Sequence, residues 1–246
     1  MAFKTSDVRR RLRSLAEPEF KKGLFRFFKE QINPIGVRLP KVRRLSKELE
    51  ELASKKSFSQ ILSLSKKFQS SKYFEEQIFG VYLIELHKKE FSPATFSTFE
   101  KWIGKYVSNW AHCDLFCTHS VWYCIERNPE LIKRLPRWTK SKNRWVRRAA
   151  CVTLIIPAKR GLFLQDILAI AERNVYDPDE MVQKGTGWLL REAAKAHYVE
   201  INAFLHKHTD APRILLRYAT EKFPKKKRES VLSGASRRYK KPKMRI

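Results

Sequence analysis

Apolar side chains recur at helical spacing along almost the whole chain, and this pattern restricts the possible folds more than any other feature. Val42, Leu45 and Leu49 follow Pro40 at three- and four-residue intervals, which suits a first helical turn. Residues 151 to 156 are rich in β-branched side chains but continue a helical pattern from Asn143, so we predict a helix there too. Prolines mark helix breaks or starts at Asn33-Pro34, Ser92-Pro93, Asn128-Pro129, Asp177-Pro178, Ala211-Pro212 and Phe223-Pro224.

Successive helices joined by short connections form either a closed bundle or a stack of helix pairs. The pairs recur here at a spacing of about 40 residues, which is typical of HEAT-type repeats. We therefore predict an all-α fold, a curved solenoid of HEAT-like antiparallel helix pairs, over residues 1–223. Residues 224–246 are too basic and too weakly periodic for a core, and we predict a basic C-terminal tail there.

The charge is strongly positive and unevenly distributed. The chain has 52 Lys and Arg against 25 Asp and Glu, a net charge of +27 at pH 7. The excess lies in residues 1–50, 131–165 and 224–246, while the remaining stretches are balanced. Cations interleaved with Trp and Tyr favour nucleic acid over an acidic membrane surface as the partner, although a single charged run is often only a solvated face.

The chain shows no signal for membrane insertion or export. No run of about 18 apolar residues occurs, and the three arginines near the start have no apolar segment behind them. The four cysteines form no disulfide framework, so we expect a reducing, cytoplasmic location, associated with the nucleoid in a prokaryote. We also expect a monomer.

The first candidate site contains Trp110 and Asp114. Four residues apart, they share one face of a helix, and an Asp is locally unfavourable in a helix interior. The alternative interpretation is that Asp114 caps a helix and that Trp110 belongs to the core.

The second candidate site is the basic segment with Arg144, Arg147 and Arg148. Arg144 and Arg148 are like charges at i and i+4, a destabilising pair that a bound phosphate would relieve. The alternative is a solvated basic helix face.

The third candidate site has two glycines, Gly185 and Gly187, inside an apparent helix. Each costs about 1 kcal/mol relative to Ala, so each needs a reason such as a close backbone approach. Lys184, Trp188 and Arg191 then share one face as cation, aromatic and cation. The alternative is that the glycines only allow helix packing and that Trp188 belongs to the core.

A metal site is the weaker interpretation of His112, Cys113, Cys117 and His119. The two cysteines share a helix face, but each histidine points about 100° away from its nearest cysteine, and no second pair of ligands is apparent. We expect no metal and no cofactor.

Taken together, these segments resemble the DNA alkylation repair glycosylases of the AlkD-like family, whose fold is a HEAT-like solenoid. The resemblance covers most of residues 20 to 223. It depends on Gly36-Val37-Arg38-Leu39-Pro40 with Arg43-Arg44-Leu45, on Trp110 and Asp114, on residues 144–150, and most specifically on residues 183–192. The chain departs from the family at Ala111, where many relatives have Asp, and at His112 and Cys113, where aliphatic residues are more usual.

The resemblance implies roles for individual residues. Asp114 is the catalytic carboxylate, Trp110 and Trp188 are aromatic walls around the damaged nucleotide, and Arg148 contacts the DNA backbone. Phe27 is matched to a position where some members have a DNA-contacting Tyr. The predicted DNA-binding residues are Phe27, Arg38, Arg43, Arg144, Arg147, Arg148, Lys184 and Arg191.

The implied function is excision of cationic N3- and N7-alkylated purines from duplex DNA by a glycosylase. Such a base leaves as a neutral molecule without an acid, so one carboxylate is enough to stabilise the sugar cation. The alternative is a HEAT-like protein that binds duplex or structured nucleic acid without catalysis. A protein-interaction scaffold would explain the repeats but not the segregated charge.

Overall fold

The computed structural model describes residues 4–234, which contain helices and no strand. The predicted all-α class is confirmed. Residues 151–156 are helical except for a turn at Thr153 and Leu154. The α-helices are α1 (Thr5–Ser14), α2 (Pro18–Leu24), α3 (Leu39–Glu48), α4 (Glu50–Ser54), α5 (Phe58–Gln69), α6 (Phe74–Glu85), α7 (Pro93–Tyr106), α8 (Trp110–Phe116), α9 (Trp122–Arg127), α10 (Leu135–Trp138), α11 (Arg144–Val152), α12 (Ile155–Lys159), α13 (Leu164–Asn174), α14 (Glu180–Ala193), α15 (Tyr198–Lys207), α16 (Arg213–Ala219) and α17 (Lys225–Gly234).

Three shorter segments complete the secondary structure. Lys88–Glu90 and Pro129–Arg134 are 3-10 helices, and Cys117–Val121 is a π-helix between α8 and α9. The chain forms two compact units, Met1–Asn128 (unit 1) and Pro129–Ile246 (unit 2). The domain boundary that we predicted at residue 223 stays a prediction.

Unit 1 is built around α6, whose residues are buried from Phe74 to Ile84. Helices α3, α5 and α8 pack against it. Gly80 permits the contact with α5, because a Cβ at this position would lie 2.9 Å from Phe68 Cβ and 3.1 Å from the Ser65 carbonyl oxygen. The hydroxyl of Ser65 donates to the Gly80 carbonyl at 2.8 Å, so the close approach also satisfies a buried polar group.

A fully buried carboxylate, Glu75, organises the segment before α3. Its Oε1 accepts from the backbone N–H of Gly36 (2.7 Å) and Val37 (2.9 Å), and its Oε2 accepts from Ile35 (2.6 Å). Gly36 has φ +105°, which favours glycine, and a Cβ there would lie 2.8 Å from Lys21 Cβ. This is the physical reason for the glycine before Val37 and Arg38, and it fixes the start of α3.

Unit 2 is built around α14, which packs mainly against α16 and α11. A Cβ at Gly187 would lie 2.6 Å from the Leu215 carbonyl oxygen in α16, and one at Gly185 would lie 3.3 Å from Arg148 Cγ in α11. Both glycines therefore permit close helix packing, which confirms the packing interpretation of these residues.

The predicted C-terminal tail is partly a helix. Residues Lys225–Gly234 form α17, Val231 is fully buried, and Gly234 lies against Thr209. Within the predicted tail, these residues are thus helical, and one buried apolar side chain anchors an otherwise basic segment. The second basic run, residues 237–241, lies outside the described residues. None of the helices between residues 4 and 234 combines the length and apolarity that a membrane span requires.

Candidate functional site

Asp114 lies within α8 and does not cap it. The cap is Asn109, whose side-chain oxygen accepts from the backbone N–H of His112 at 2.9 Å. The Asp114 side chain is partly exposed, so a negative charge is held inside a helix on the accessible side of unit 1. The capping interpretation of Asp114 is wrong because Asn109 already satisfies the first turn.

The backbone changes from α-helix to π-helix directly after this carboxylate. Cys117–Val121 form the π-helix, and the hydroxyl of Thr118 donates to the Asp114 carbonyl at 2.7 Å. Single π-helical turns inside α-helices are frequent at functional sites. The π-helix begins three residues after Asp114, in the turn that follows it along the chain.

Trp110 lies one helical turn before Asp114 and is fixed by an aromatic stack. Its ring lies 5.2 Å from that of Phe28 at an interplanar angle of 18°, and Phe28 meets the edge of Phe74 at 5.5 Å. Trp110 itself remains partly exposed. The indole therefore has one packed face and is not a fully buried core residue, so the simple core interpretation accounts for only one side of it.

His112 belongs to the interior of unit 1. It is fully buried, its Nε2 pairs with Gln69 Oε1, and burial lowers its pKa to about 3. His119 instead faces Glu85, with Nδ1 2.9 Å from Oε1. The two histidines thus have separate partners, and within residues 4–234 no three His, Cys, Asp or Glu side chains gather as a metal site would require. All four cysteines are buried free thiols.

The three arginines of α11 occupy different environments. Arg144 is 40% exposed, lies 4.5 Å from the Trp145 ring and donates to Asp179 at 3.4 Å. Arg147 is 15% exposed, and its Nε lies 2.6 Å from Asp177 Oδ2.

Arg148 is 5% exposed and donates to the Met181 carbonyl at the start of α14. The expected conflict between Arg144 and Arg148 is therefore relieved inside the protein, because each guanidinium has its own acceptor at the start of α14, Asp179 for Arg144 and the Met181 carbonyl for Arg148. A phosphate is not needed to separate these two charges.

The side chains of α14 are held by carboxylates. Lys184 pairs with Glu180 at 2.6 Å, and Trp188 Nε1 donates to Glu192 Oε1 at 3.1 Å. Arg191 also donates to Glu192 and pairs with Glu221. Lys184, Trp188 and Arg191 are each only partly exposed, so the predicted cationic and aromatic face is present but largely paired.

Glu192 is the residue of this region that the sequence analysis missed. Burial alone would raise its pKa, but the hydrogen bond and charge of Lys195, the charge of Lys159 and the Trp188 N–H together hold the pKa below its usual range. The carboxylate therefore stays ionised and anchors both Trp188 and Arg191. Its i, i+4 spacing from Trp188 was the signal that could have identified it.

The remaining predicted residues lie in unit 1. Phe27 is 72% exposed. Arg38 is 56% exposed, pairs with Glu17 at 3.0 Å and lies over the Phe20 ring at 4.6 Å. Arg43 is 47% exposed and lies 3.8 Å from Glu85. Unit 1 thus contains Trp110, Asp114 and three exposed candidates for DNA contact, and unit 2 contains the other predicted residues.

Comparisons with known proteins agree with the resemblance seen in the sequence. The model of the family described as "DNA alkylation repair enzyme" matches residues 8–223. The structure is similar to that of a predicted DNA alkylation repair enzyme from Enterococcus faecalis, with a TM-score of 0.76 and 16% sequence identity over 85% of this chain and 97% of that one. No curated protein sequence matches this chain significantly.

Proposed function

This chain belongs to the DNA alkylation repair enzyme family, and from that premise we propose that it is a DNA glycosylase for cationic N3- and N7-alkylated purines in duplex DNA. The observation that carries the proposal is Asp114, a partly exposed carboxylate fixed within α8 one turn from a stacked indole. A surface that only bound phosphate would be weakened by such a charge.

The proposed chemistry needs one anion and no acid. An alkylated purine already carries positive charge, so it departs as a neutral base, and the positive charge that develops is on the deoxyribose. A preorganised carboxylate near C1′ stabilises that cation electrostatically and positions the attacking water. Ordinary glycosidases need a second carboxyl group to protonate the leaving group, and this reaction does not.

We assign Trp110, in unit 1, to the aromatic wall beside the damaged nucleotide, and we propose Trp188, in unit 2, as a separate aromatic contact with the DNA. An indole face attracts a cationic sugar or base by about 0.5 to 2 kcal/mol when desolvated. Trp110 is oriented by its stack on Phe28, and Trp188 by its hydrogen bond to Glu192. Both side chains are fixed by protein contacts before any ligand binds, which reduces the entropy lost on binding.

Exposure divides the predicted DNA-binding residues into two groups. The side chains of Arg38, Arg43 and Arg144 are 40 to 56% exposed, and we assign them with Phe27 to direct contact with the duplex. The less exposed cations are held by protein acceptors, and we assign them to positioning the surface; they are Arg147, Arg148, Lys184 and Arg191.

The decisive experiment separates rate from affinity in Asp114→Asn. The substitution keeps size and polarity but removes the charge, so we expect single-turnover release of N7-methylguanine and N3-methyladenine to fall about 100- to 1,000-fold. Duplex affinity should be unchanged or higher. Asp166→Asn, which removes the same charge from the first turn of α13, is the matched control and should leave the rate unchanged.

Three results would contradict the proposal. Equal rates for wild type and Asp114→Asn would remove Asp114 from the mechanism, and efficient excision of uracil by the wild type would contradict the requirement for a cationic base. If the wild type binds duplex DNA tightly but releases no alkylated purine, the alternative of a non-catalytic nucleic-acid-binding protein is correct.

A further inference from the structure

Unit 1 has a second cationic surface that the sequence analysis did not single out. A groove of about 280 Å³ runs between α1 and the start of α6. It is lined by Arg9, Arg13, Ser71, Lys72, Tyr73 and Glu76. Three of these six side chains are cations, and one is an aromatic ring.

Two of the cations lie against the aromatic ring. The Arg13 guanidinium carbon is 5.7 Å from the centre of the Tyr73 ring, and Lys72 Nζ is 5.3 Å from it. Both side chains are exposed, and neither forms an ion pair with a carboxylate of the described residues. Two exposed cations thus lie within 6 Å of the centre of one ring, and their charges attract an external anion to this groove.

The third cation is held differently. Arg9 Nε lies 3.1 Å from Glu76 Oε2, and the Ser71 hydroxyl donates to the same oxygen at 2.7 Å. The Glu76 side chain is only 1% exposed, so its charge lies behind the wall of the groove and orients Arg9. Because one carboxylate compensates one of three cations, Arg13 and Lys72 remain to attract an external anion.

The groove is joined to the candidate catalytic helix by aromatic contacts within unit 1. Tyr73 precedes Phe74, which meets Phe28 at 5.5 Å, and Phe28 stacks on Trp110 at 5.2 Å. Tyr73 is thus the neighbour in sequence of the aromatic cluster that fixes Trp110, and the groove and the candidate catalytic helix belong to the same unit. A ring beside cations suits a sugar-phosphate backbone, in which apolar and charged groups alternate.

We propose that Arg13, Lys72 and Tyr73 form a phosphodiester-binding groove that holds the backbone of the duplex beyond the damaged nucleotide. This inference rests on the proposed function for its choice of partner. A comparable groove lined by Arg11, Lys41 and Arg44 is less suited, because Arg11 already pairs with Glu48 and Lys41 with Glu17.

The test compares two double variants of the full chain. Arg13→Gln/Lys72→Gln removes both charges from the groove. Lys89→Gln/Lys101→Gln removes two exposed charges from elsewhere in unit 1 and is the matched control. The probe is an unmodified duplex oligonucleotide, and the measurement is its Kd as a function of salt concentration, with Tm as the check on folding.

We expect the groove variant to lose two phosphate contacts. The slope of log K against log salt should become less steep by about 1.8, and binding should weaken at least about 10-fold at 0.1 M salt. The control should change the slope by less than half as much. Release of N7-methylguanine under saturating protein should stay within about two-fold of wild type, because the groove binds and does not react.

The possible failures are distinguishable. Equal slopes for the two double variants would overturn the groove and leave the glycosylase proposal standing. Absence of duplex binding by the wild type would overturn both proposals. If the groove variant has a lower Tm than the control, Lys72→Gln alone, in an exposed position before α6, carries the test with an expected slope change of about 0.9.

Discussion

In each unit a buried charged side chain binds backbone groups beside the central helix, and the two side chains have opposite charges. In unit 1 it is the carboxylate of Glu75, which accepts three backbone N–H groups before α3. In unit 2 it is the guanidinium of Arg148, which donates to the Met181 carbonyl at the start of α14. Each buried ion satisfies backbone groups that would otherwise be costly to bury.

The two units differ in which charged side chains are used for structure and which remain exposed. Unit 1 fixes a loop with an anion, and its partly exposed carboxylate, Asp114, is the candidate catalytic group. Unit 2 fixes a helix with a cation, and Arg147 and Arg191 pair with the carboxylates of Asp177, Glu192 and Glu221. Two buried groups also respond differently to acid. The imidazole of His112 in unit 1 gains a proton at low pH, whereas the guanidinium of Arg148 in unit 2 is already protonated.

The largest effect should come from Glu75→Gln in unit 1. The amide oxygen can still serve Gly36 and Val37, but the amide NH2 would face the N–H of Ile35, donor against donor. We expect a loss of about 3 to 4 kcal/mol in the free energy of unfolding, measured by urea denaturation. Glu51→Gln, on an exposed side chain of α4, should change it by less than about 0.5 kcal/mol. Equal effects would mean that Glu75 does not hold the loop.

In unit 2 the next largest effect should come from Arg147→Ala. It removes the ion pair with Asp177, whose side chain is 6% exposed, and the bonds to the carbonyls of Ser141 and Lys142. We expect a loss of about 2 to 3 kcal/mol. Arg144→Ala should cost less than about 1 kcal/mol but weaken duplex binding. If the two variants lost stability equally, exposure would not distinguish structural from DNA-contacting arginines.

The two glycines of α14 provide a matched pair. Gly187→Ala places a Cβ 2.6 Å from a backbone oxygen of α16, and we expect a net cost of about 2 kcal/mol after the gain in helix propensity. Gly185→Ala meets side-chain atoms only, Arg148 Cγ at 3.3 Å and Val152 Cγ2 at 3.7 Å, and should stay within about 1 kcal/mol of wild type. Thermal unfolding of both variants measures this difference in stability. A smaller loss of stability for Gly187→Ala than for Gly185→Ala would contradict the packing of α14 on α16.

The last prediction concerns the dependence of stability on pH. His112 has a folded pKa of about 3, below its unfolded value of 6.5, so the unfolded state binds the proton first. The free energy of unfolding should fall by about 1.4 kcal/mol per pH unit once the pH drops below 6.5, down to the folded pKa. Glu192 in unit 2 has a folded pKa below its unfolded value of 4.5. Its contribution to the free energy of unfolding is therefore lost only when the pH falls below about 4.5.

Unit 1 should therefore weaken before unit 2 on acidification. Hydrogen exchange of α8 and α14, compared at pH 7 and pH 5, measures this difference. His112→Leu with Gln69→Leu removes the buried imidazole and its partner, and should abolish the slope between pH 6 and pH 5. A slope that survives in this double variant would assign it to another group.

The sequence by itself determined the helical class, most helix starts and the family. Ser92 and Pro93 begin α7 as expected, and Pro40 lies in the first turn of α3, because capping and proline geometry are local properties of the chain. The two glycines of α14 were also informative, since a residue that is costly in a helix interior requires a packing reason. The predicted solenoid curvature and the roles of the site residues stay predictions.

Only the tertiary structure decided which charges are available. Arg147 and Arg144 look equivalent along α11. Only Arg147, however, forms an ion pair with the buried Asp177, which lies 30 positions further along the chain. Glu75 and the Tyr73 groove were invisible for the same reason, because their partners come from other helices or loops. Local spacing determines which face of a helix a residue occupies. The exposure and the ion pairs of its side chain depend on the elements that pack against that helix.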